Sequence, residues 1–243
     1  MAVWCFLVAL AGGLVGLVLG NIRLPVILLA AASPASGAAA TIAISGVAAT
    51  AASVTHLRAG RVDWRLFRWM APPSVVGALA GGYLSGALPR QALLGAIAAV
   101  LLFSGVDLLR GRAKPDRPAS QELDVRAAVL AGAAIGFLGG VVGLILGSLR
   151  MPALLRWVGM TAERAVGTNL AVGVLVGVAG LAGHLPNAAP DWKLLLTGAI
   201  ASVPGALLGA RLTGRLSDEA LVRAIGVVLL VAGAGAAIQA VAS

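Results

Sequence analysis

Long apolar stretches separated by short polar ones dominate the chain. Six of these stretches are continuous, and a helix needs about 20 apolar residues to span a bilayer. They cover residues 37–55, 69–88, 91–109, 165–183, 194–212 and 221–241. Within each stretch the apolar residues run on without alternating with polar ones, which predicts helices and argues against a β-barrel.

Two further apolar stretches are interrupted by glycine and proline. Residues 2–32 contain Gly12-Gly13, Gly20 and Pro25, and residues 127–158 contain the corresponding Gly139-Gly140, Gly147 and Pro152. In a bilayer, irregular backbone is tolerated only where protein or a water-filled cavity covers it. We therefore expect two broken or re-entrant helices, and these are the best pointers to a binding site.

The two broken stretches belong to an internal repeat. GGLVGLVLGNIRLP at residues 12–25 matches GGVVGLILGSLRMP at residues 139–152 in 9 of 14 positions. Residues 74–105 match 202–233 after a one-residue shift. The sequence therefore predicts a first membrane repeat over 1–109, a basic linker over 110–126 and a second repeat over 127–243.

Composition narrows the class of protein. Of the 243 residues, 60% are hydrophobic and only 11% are charged, which is too few charges to cover the surface of a soluble protein of this size. Cys5 is the only cysteine, so a disulfide scaffold is excluded. We predict an all-α, polytopic membrane protein whose first helix is kept rather than cleaved as a signal peptide.

The basic residues predict the orientation, because Lys and Arg concentrate in cytoplasmic loops. If all eight hydrophobic elements were simple spans, the 18 basic residues would divide 10 to 8. If the first element of each repeat returns to its own side, the repeats are inverted and the division becomes 15 to 3. Only Arg23, Arg90 and Lys193 are then outside. This predicts external termini and a cytoplasmic linker, whose basic run is a candidate contact for anionic lipid.

The strongest candidate site residues lie in the duplicated break. A helix start presents free N–H groups and a positive dipole end to an anion, and an arginine adds a planar fork of donors. Proline fits the first turn of such a helix. The alternative for the arginines is a boundary role with the side chain at the headgroups. The substrate-binding candidates here are Arg23, Asn21 and Pro25, with Arg150, Ser148 and Pro152 in the second repeat.

A second polar motif opens the helix that follows the second break. Thr168 and Asn169 are expected in about its first turn, as substrate contacts or as caps and interhelical hydrogen bonds. Thr41 matches Thr168 in the first repeat, whereas Ile42 replaces Asn169, so any pocket is pseudo-symmetric.

Other groups have simpler interpretations. Glycines at spacing four favour close helix packing. His56 and His184 are predicted at helix ends on opposite sides, as interfacial residues or as proton-linked groups. The acidic residues all fall in loops or at helix ends, which disfavours a cation transporter. No metal cluster, nucleophile set or nucleic-acid surface can be assembled, so we expect neither an enzyme nor a cofactor.

Residues 161–184, TAERAVGTNLAVGVLVGVAGLAGH, closely resemble the second-repeat motif of the TauE/SafE sulfite exporter family. The duplicated glycine-rich element, the basic centre and the length also fit. The resemblance implies a bacterial inner-membrane transporter of sulfite, organosulfonates or related small anions. The family usually has a glycine triplet after the glycine-rich helix of each repeat. This chain has Asn-Ile-Arg and Ser-Leu-Arg instead, and the arginine suits an anion.

The sequence thus predicts a two-repeat secondary transporter, most simply an exporter, that moves a small anion by alternating access. The rivals are an anion channel and a non-transporting membrane scaffold or partner subunit. A polar cavity at the breaks would argue against a scaffold, and a solidly packed interior would support one. Substrate, direction, coupling ion and any homo-oligomer are left open.

Overall fold

The computed structural model describes residues 1–84, 90–110, 125–142, 145–156, 158–186 and 189–242. Within those ranges it is all-helical, as the apolar pattern predicts, and contains ten helices. In chain order they are α1 (Ala2–Val15), α2 (Gly20–Leu28), α3 (Pro34–Arg58), α4 (Trp64–Tyr83), α5 (Arg90–Leu109), α6 (Val125–Val142), α7 (Gly147–Arg156), α8 (Ala162–His184), α9 (Trp192–Thr213) and α10 (Asp218–Ala242). Most of the expected basic linker, residues 111–124, lies outside the described residues.

Five helices have the length and hydropathy of membrane spans. They are α3, α5, α8, α9 and α10, each of which covers one of the continuous apolar stretches. The sixth stretch corresponds to α4, where Asp63 caps the start by accepting hydrogen bonds from the backbone of Arg65 and Leu66. The end expected for that stretch, residues 85–88, is outside the described residues.

Both glycine-rich stretches are broken helices, but the breaks lie between the residues expected to cause them. α1 continues through Gly12-Gly13 and ends at Gly16, which has the left-handed φ of 70° that favours glycine. α2 then begins at Gly20, so Pro25 lies inside the helix instead of in its first turn. The carbonyl of Asn21 has no N–H partner at Pro25 and accepts a hydrogen bond from Gln239 Nε2 at 2.8 Å.

The first helix runs parallel to α3, and the chain between them returns to the starting end. Cys5, near the start of α1, packs with Ala40 and Ile44 in the first half of α3. Gly13, near the end of α1, has its carbonyl 3.4 Å from the ring of His56 near the end of α3. Residues 16–33 therefore bring the chain back across the same distance that α1 covered.

The first and sixth helices each pack on a helix of the other half of the chain. α1 lies along α9 and α6 lies along α4. In both pairs the two backbones are in close contact. A Cβ on Gly209 would fall 2.1 Å from the Leu10 carbonyl oxygen, and a Cβ on Gly81 would fall 2.1 Å from the Phe137 carbonyl oxygen. The glycines at spacing four thus serve helix packing, as predicted.

At the centre of the molecule α3 packs on α8 in the antiparallel sense. A Cβ on Gly177 would lie 3.3 Å from Gly46 Cα. At the end of this pair, Arg61 forms an ion pair with Glu163.

α5 and α10 also run antiparallel, because Gly105 faces Leu230 while Leu109 faces Gly226. In these two pairs, α3–α8 and α5–α10, the helices at equivalent positions of the sequence repeat therefore point in opposite directions.

Polar contacts concentrate at the end of the bundle that holds Arg61, termed here the Arg61 end. Arg61 Nη1 donates to the Ala210 carbonyl at 3.2 Å. Arg164 lies 4.0 Å from the Asp63 carboxylate, and Arg156 forms an ion pair with Asp107. These contacts join the loop after α3 to α8 and α9, and they join α5 to α7.

Candidate functional site

Arg23 is one of the two largest fully enclosed side chains among the described residues. It lies in the first turn of α2, is 2% exposed, and Nη1 donates to Ser45 Oγ of α3 at 2.8 Å. The Cys5 thiol of α1 lies within interaction range of the same guanidinium. The boundary alternative, with the side chain at the headgroups, is therefore wrong for Arg23.

Arg150 occupies the matching position in α7 and is 0% exposed. Its Nη1 donates to Asn169 Oδ1 at 3.3 Å. The same Asn169 side chain donates to the carbonyls of Gly16 and Gly147, at 2.8 and 2.9 Å. A single amide thus holds the end of α1, the start of α7 and a buried arginine together.

Neither guanidinium has all its donors used. Arg23 Nε, and both Nε and Nη2 of Arg150, are buried without a hydrogen-bond partner. In the part of the chain that the structure describes, no carboxylate forms an ion pair with either side chain. A buried charge without a counter-ion is destabilising by several kcal/mol, and each guanidinium retains N–H donors that are available to a further hydrogen-bond acceptor.

The other residues of the duplicated break are placed differently. The Asn21 side chain donates to the Ala232 carbonyl of α10 at 2.8 Å, so it ties α2 to α10. Ser148 is buried near the start of α7. Pro25 is exposed and Pro152 is half-buried, each the sixth residue of its helix.

The Thr168–Asn169 motif lies about two turns inside α8 rather than in its first turn, because that helix begins at Ala162. Thr168 Oγ1 accepts the backbone N–H of Asp63 at 2.9 Å and thereby fixes the loop before α4. Asn169 reaches Arg150, whereas Thr168 does not contact it. The motif therefore divides between a loop anchor and the arginine site.

Both histidines lie near the C-terminal ends of their helices, at opposite ends of the bundle, and both side chains are enclosed by protein. His56 is 0% exposed and His184 is 7% exposed. His184 Nδ1 is 2.9 Å from the Gly180 carbonyl of its own helix. His56 Nδ1 has no partner among the described residues.

A small cavity lies beside Ser45, the serine that holds Arg23. It encloses about 20 Å³, room for about one water molecule. One face of α1, residues 17–19 of the break and the middle of α3 line it, together with Leu170 of α8. Its lining side chains are apolar except for Ser45, so this cavity has room for a water molecule but not for a larger solute.

The sequence did not single out Ser45 or Gly16. Ser45 is one of several small polar residues in α3, and no spacing rule marks it as the partner of Arg23. Gly16 carried a signal only as a member of the glycine series, although its carbonyl is a contact of Asn169.

Comparisons with known proteins place the chain among membrane transporters. The model of the family "Sulfite exporter TauE/SafE" matches residues 1–236. A probable membrane transporter protein of Xylella fastidiosa is 30% identical over 201 residues, which cover 78% of this chain and 74% of that protein.

Two further relatives extend over almost the whole chain. Probable membrane transporter protein YjnA of Bacillus subtilis is 25% identical over 239 residues, 91% of this chain and 94% of its own. Probable membrane transporter protein y4hK of Sinorhizobium fredii is 27% identical over 244 residues, 96% and 95% of the two chains. No solved structure matches. The protein is a multi-pass membrane protein that belongs to the TauE/SafE sulfite exporter family.

Proposed function

We propose that the protein is a secondary transporter, most simply an exporter, that moves a small anion across the membrane by alternating access. The observation that carries the proposal is the pair of buried arginines at the two helix breaks, with guanidinium N–H groups left unpaired. Buried charges without a counter-ion lower stability and give a scaffold nothing in return. In an anion carrier the bound substrate supplies the counter-ion.

The helix arrangement supports a carrier mechanism. The helices that match by sequence, α3 with α8 and α5 with α10, run antiparallel, as inverted repeats require. Transporters built in this way rock one part against another around a site at broken helices. The cavity at Ser45 is small and apolar, so it does not provide the polar cavity that would argue against a scaffold. In a carrier, the same tight packing corresponds to an occluded conformation of the cycle.

The donors favour a small oxyanion. A guanidinium fork fits the paired oxygens of a carboxylate, sulfonate or sulfite, and the family model that the chain matches is named for sulfite export. The matched relatives come from bacteria, which supports a place in a bacterial inner membrane. The histidines remain candidates for proton-linked residues, and Asn21, Ser148, Thr168, Asn169, Pro25 and Pro152 remain candidates for the binding region.

The experiment is anion flux in liposomes containing the purified full-length protein. We expect saturable, counterflow-competent uptake of sulfite or an organosulfonate, and at least about a tenfold lower rate in Arg23→Gln or Arg150→Gln, because each loses a charge-assisted hydrogen-bond donor. Arg68→Gln is the matched control, since Arg68 is exposed on α4, and it should transport at the wild-type rate.

The rival functions give different results. Flux that does not saturate and shows no counterflow indicates a channel. No flux of any sulfur oxyanion or carboxylate indicates a scaffold or partner subunit. Undiminished transport in both arginine variants contradicts the assignment of the site.

A further inference from the structure

The two buried arginines are anchored at different depths of the molecule. Arg23 is held by Ser45, in the middle of α3, and Arg150 is held by Asn169, about two turns into α8. Because α3 and α8 pack antiparallel, each position in α3 can be matched to the position in α8 at the same depth. Ile42 lies against Gly180 and Gly46 against Gly177, so Ser45 is level with residues 177–178 of α8.

Nine residues of α8 therefore separate the level of Ser45 from Asn169. At a rise of 1.5 Å per residue, the two anchors are about 13 Å apart along the helix axis. A small oxyanion accepts hydrogen bonds from donors about 2.9 Å from its oxygens. The separation of the two anchors is several times this hydrogen-bond distance, which favours a separate anion at each guanidinium group while each keeps its anchor.

Each arginine also has its own unpaired donors. Arg23 has a buried free Nε, and Arg150 has a buried free Nε and Nη2. The surroundings of the two arginines differ. The apolar cavity lies beside Ser45, whereas the Asn169 side chain also donates hydrogen bonds to the carbonyls of Gly16 and Gly147. The two charges are thus separately uncompensated and separately held.

We propose that the protein holds two distinct anion sites in series, one at Arg23 and one at Arg150, and that a transported anion passes from one to the other. This inference rests on the proposed transport function and specifies the number of its binding sites. Asn169 acts at the second site as a positioning residue, since its amide fixes both the guanidinium and the two helix breaks around it.

Binding stoichiometry tests the proposal. Sulfite and methanesulfonate are titrated calorimetrically into the detergent-solubilised full-length protein. We expect about two equivalents of anion per chain in the wild-type protein, about one in Arg23→Gln, about one in Arg150→Gln and none in the double variant. Arg68→Gln, the exposed control, should keep both.

Conservative variants guard against loss of folding. Arg23→Lys and Arg150→Lys keep the charge but lose the planar fork, so we expect two equivalents with roughly tenfold weaker binding at the altered site only. Lysine variants that lose both sites together while still eluting as folded protein would overturn the assignment of separate sites.

The failure of this inference differs from the failure of the transport proposal. One equivalent in the wild-type protein, abolished by either glutamine substitution, means a single shared site and contradicts the two-site arrangement, while liposome flux still stands. No binding of either anion, together with no flux, contradicts both.

Discussion

At the scale of single residues, Asn169 has more structural consequence than its size indicates. Its amide group donates to two backbone carbonyls and accepts from Arg150, so both of its N–H donors and one of the two acceptor positions of its oxygen are used. The carbonyls of Gly16 and Gly147 belong to different halves of the chain. Asn169 therefore joins the two broken elements at one point.

The variant Asn169→Ala should lower the stability of the protein by roughly 2–3 kcal/mol, because it removes three hydrogen bonds between buried groups. Thermal unfolding in detergent micelles measures the change. Thr50→Ala is the control, since the Thr50 hydroxyl is exposed and bonds only to the Gly46 carbonyl of its own helix. A shift in Asn169→Ala no larger than that of the control would show that the junction contributes little.

The arginines could be predicted from the sequence because charges are rare in apolar segments and these two recur in the duplicate. The side chains that hold the two arginines could not be predicted in this way. Ser45 has no counterpart, since Val172 stands at the matching position, and a serine within a small-residue helix looks like ordinary packing. Which hydroxyl an arginine reaches depends on how α2 lies on α3, and this is a property of tertiary structure.

At the scale of elements, the glycines set how closely helices approach. In the pair α1–α9 and in the pair α4–α6, the carbonyls of one helix occupy the space that a Cβ on the other would need. In a bilayer such contact replaces the hydrophobic driving force that soluble helices have. The helices pack tightly because these positions carry no side chain.

Gly209→Ala should destabilise the protein by about 1–3 kcal/mol, because the new methyl group overlaps the Leu10 carbonyl and forces α1 away from α9. Gly95→Ala is a matched control in α5, where a Cβ meets nothing within 4 Å, and the higher helix propensity of alanine makes it neutral or stabilising. Unfolding temperatures of the two variants measure the difference. Equal temperatures would mean that the helix pair yields without strain.

The sequence predicted the existence of the elements better than their ends. The long apolar runs identified the spanning helices, because length and hydropathy are local properties. The breaks lie elsewhere than predicted. Gly13 stays helical in contact with α9. Pro25 also stays helical, and Gln239 of α10 donates to the Asn21 carbonyl that proline leaves free. In both cases a distant helix decides the local conformation.

At the scale of the whole molecule, the distribution of charge predicts the orientation. The Arg61 end carries the ion pairs Arg61–Glu163 and Arg164–Asp63. It is also the end that the inverted-repeat prediction assigns to the cytoplasm. The Arg61 side chain is mostly buried, whereas that of Arg164 is 56% exposed, so only the Arg164–Asp63 pair is a surface ion pair worth about 0–1 kcal/mol.

Labelling of single cysteines tests the orientation. In a Cys5→Ser background, Lys193→Cys should react with a membrane-impermeant thiol reagent in intact cells, because Lys193 is predicted outside. Arg65→Cys should react only after the cells are permeabilised. Both positions are exposed at the starts of matching helices, α9 and α4. Reaction of both before permeabilisation would contradict the inverted repeats.

The pairing of α1 with α9 has a consequence for biosynthesis. Phe6 and Leu10 leave the ribosome first, but Gly205 and Gly209, which they contact, are made about two hundred residues later. At 5–20 residues per second, α1 waits roughly 10–40 s in the membrane before its packing partner exists. During that interval its glycine-bearing face has only lipid or a temporary helper against it. The protein can therefore reach its final structure only after nearly all of its chain has been translated.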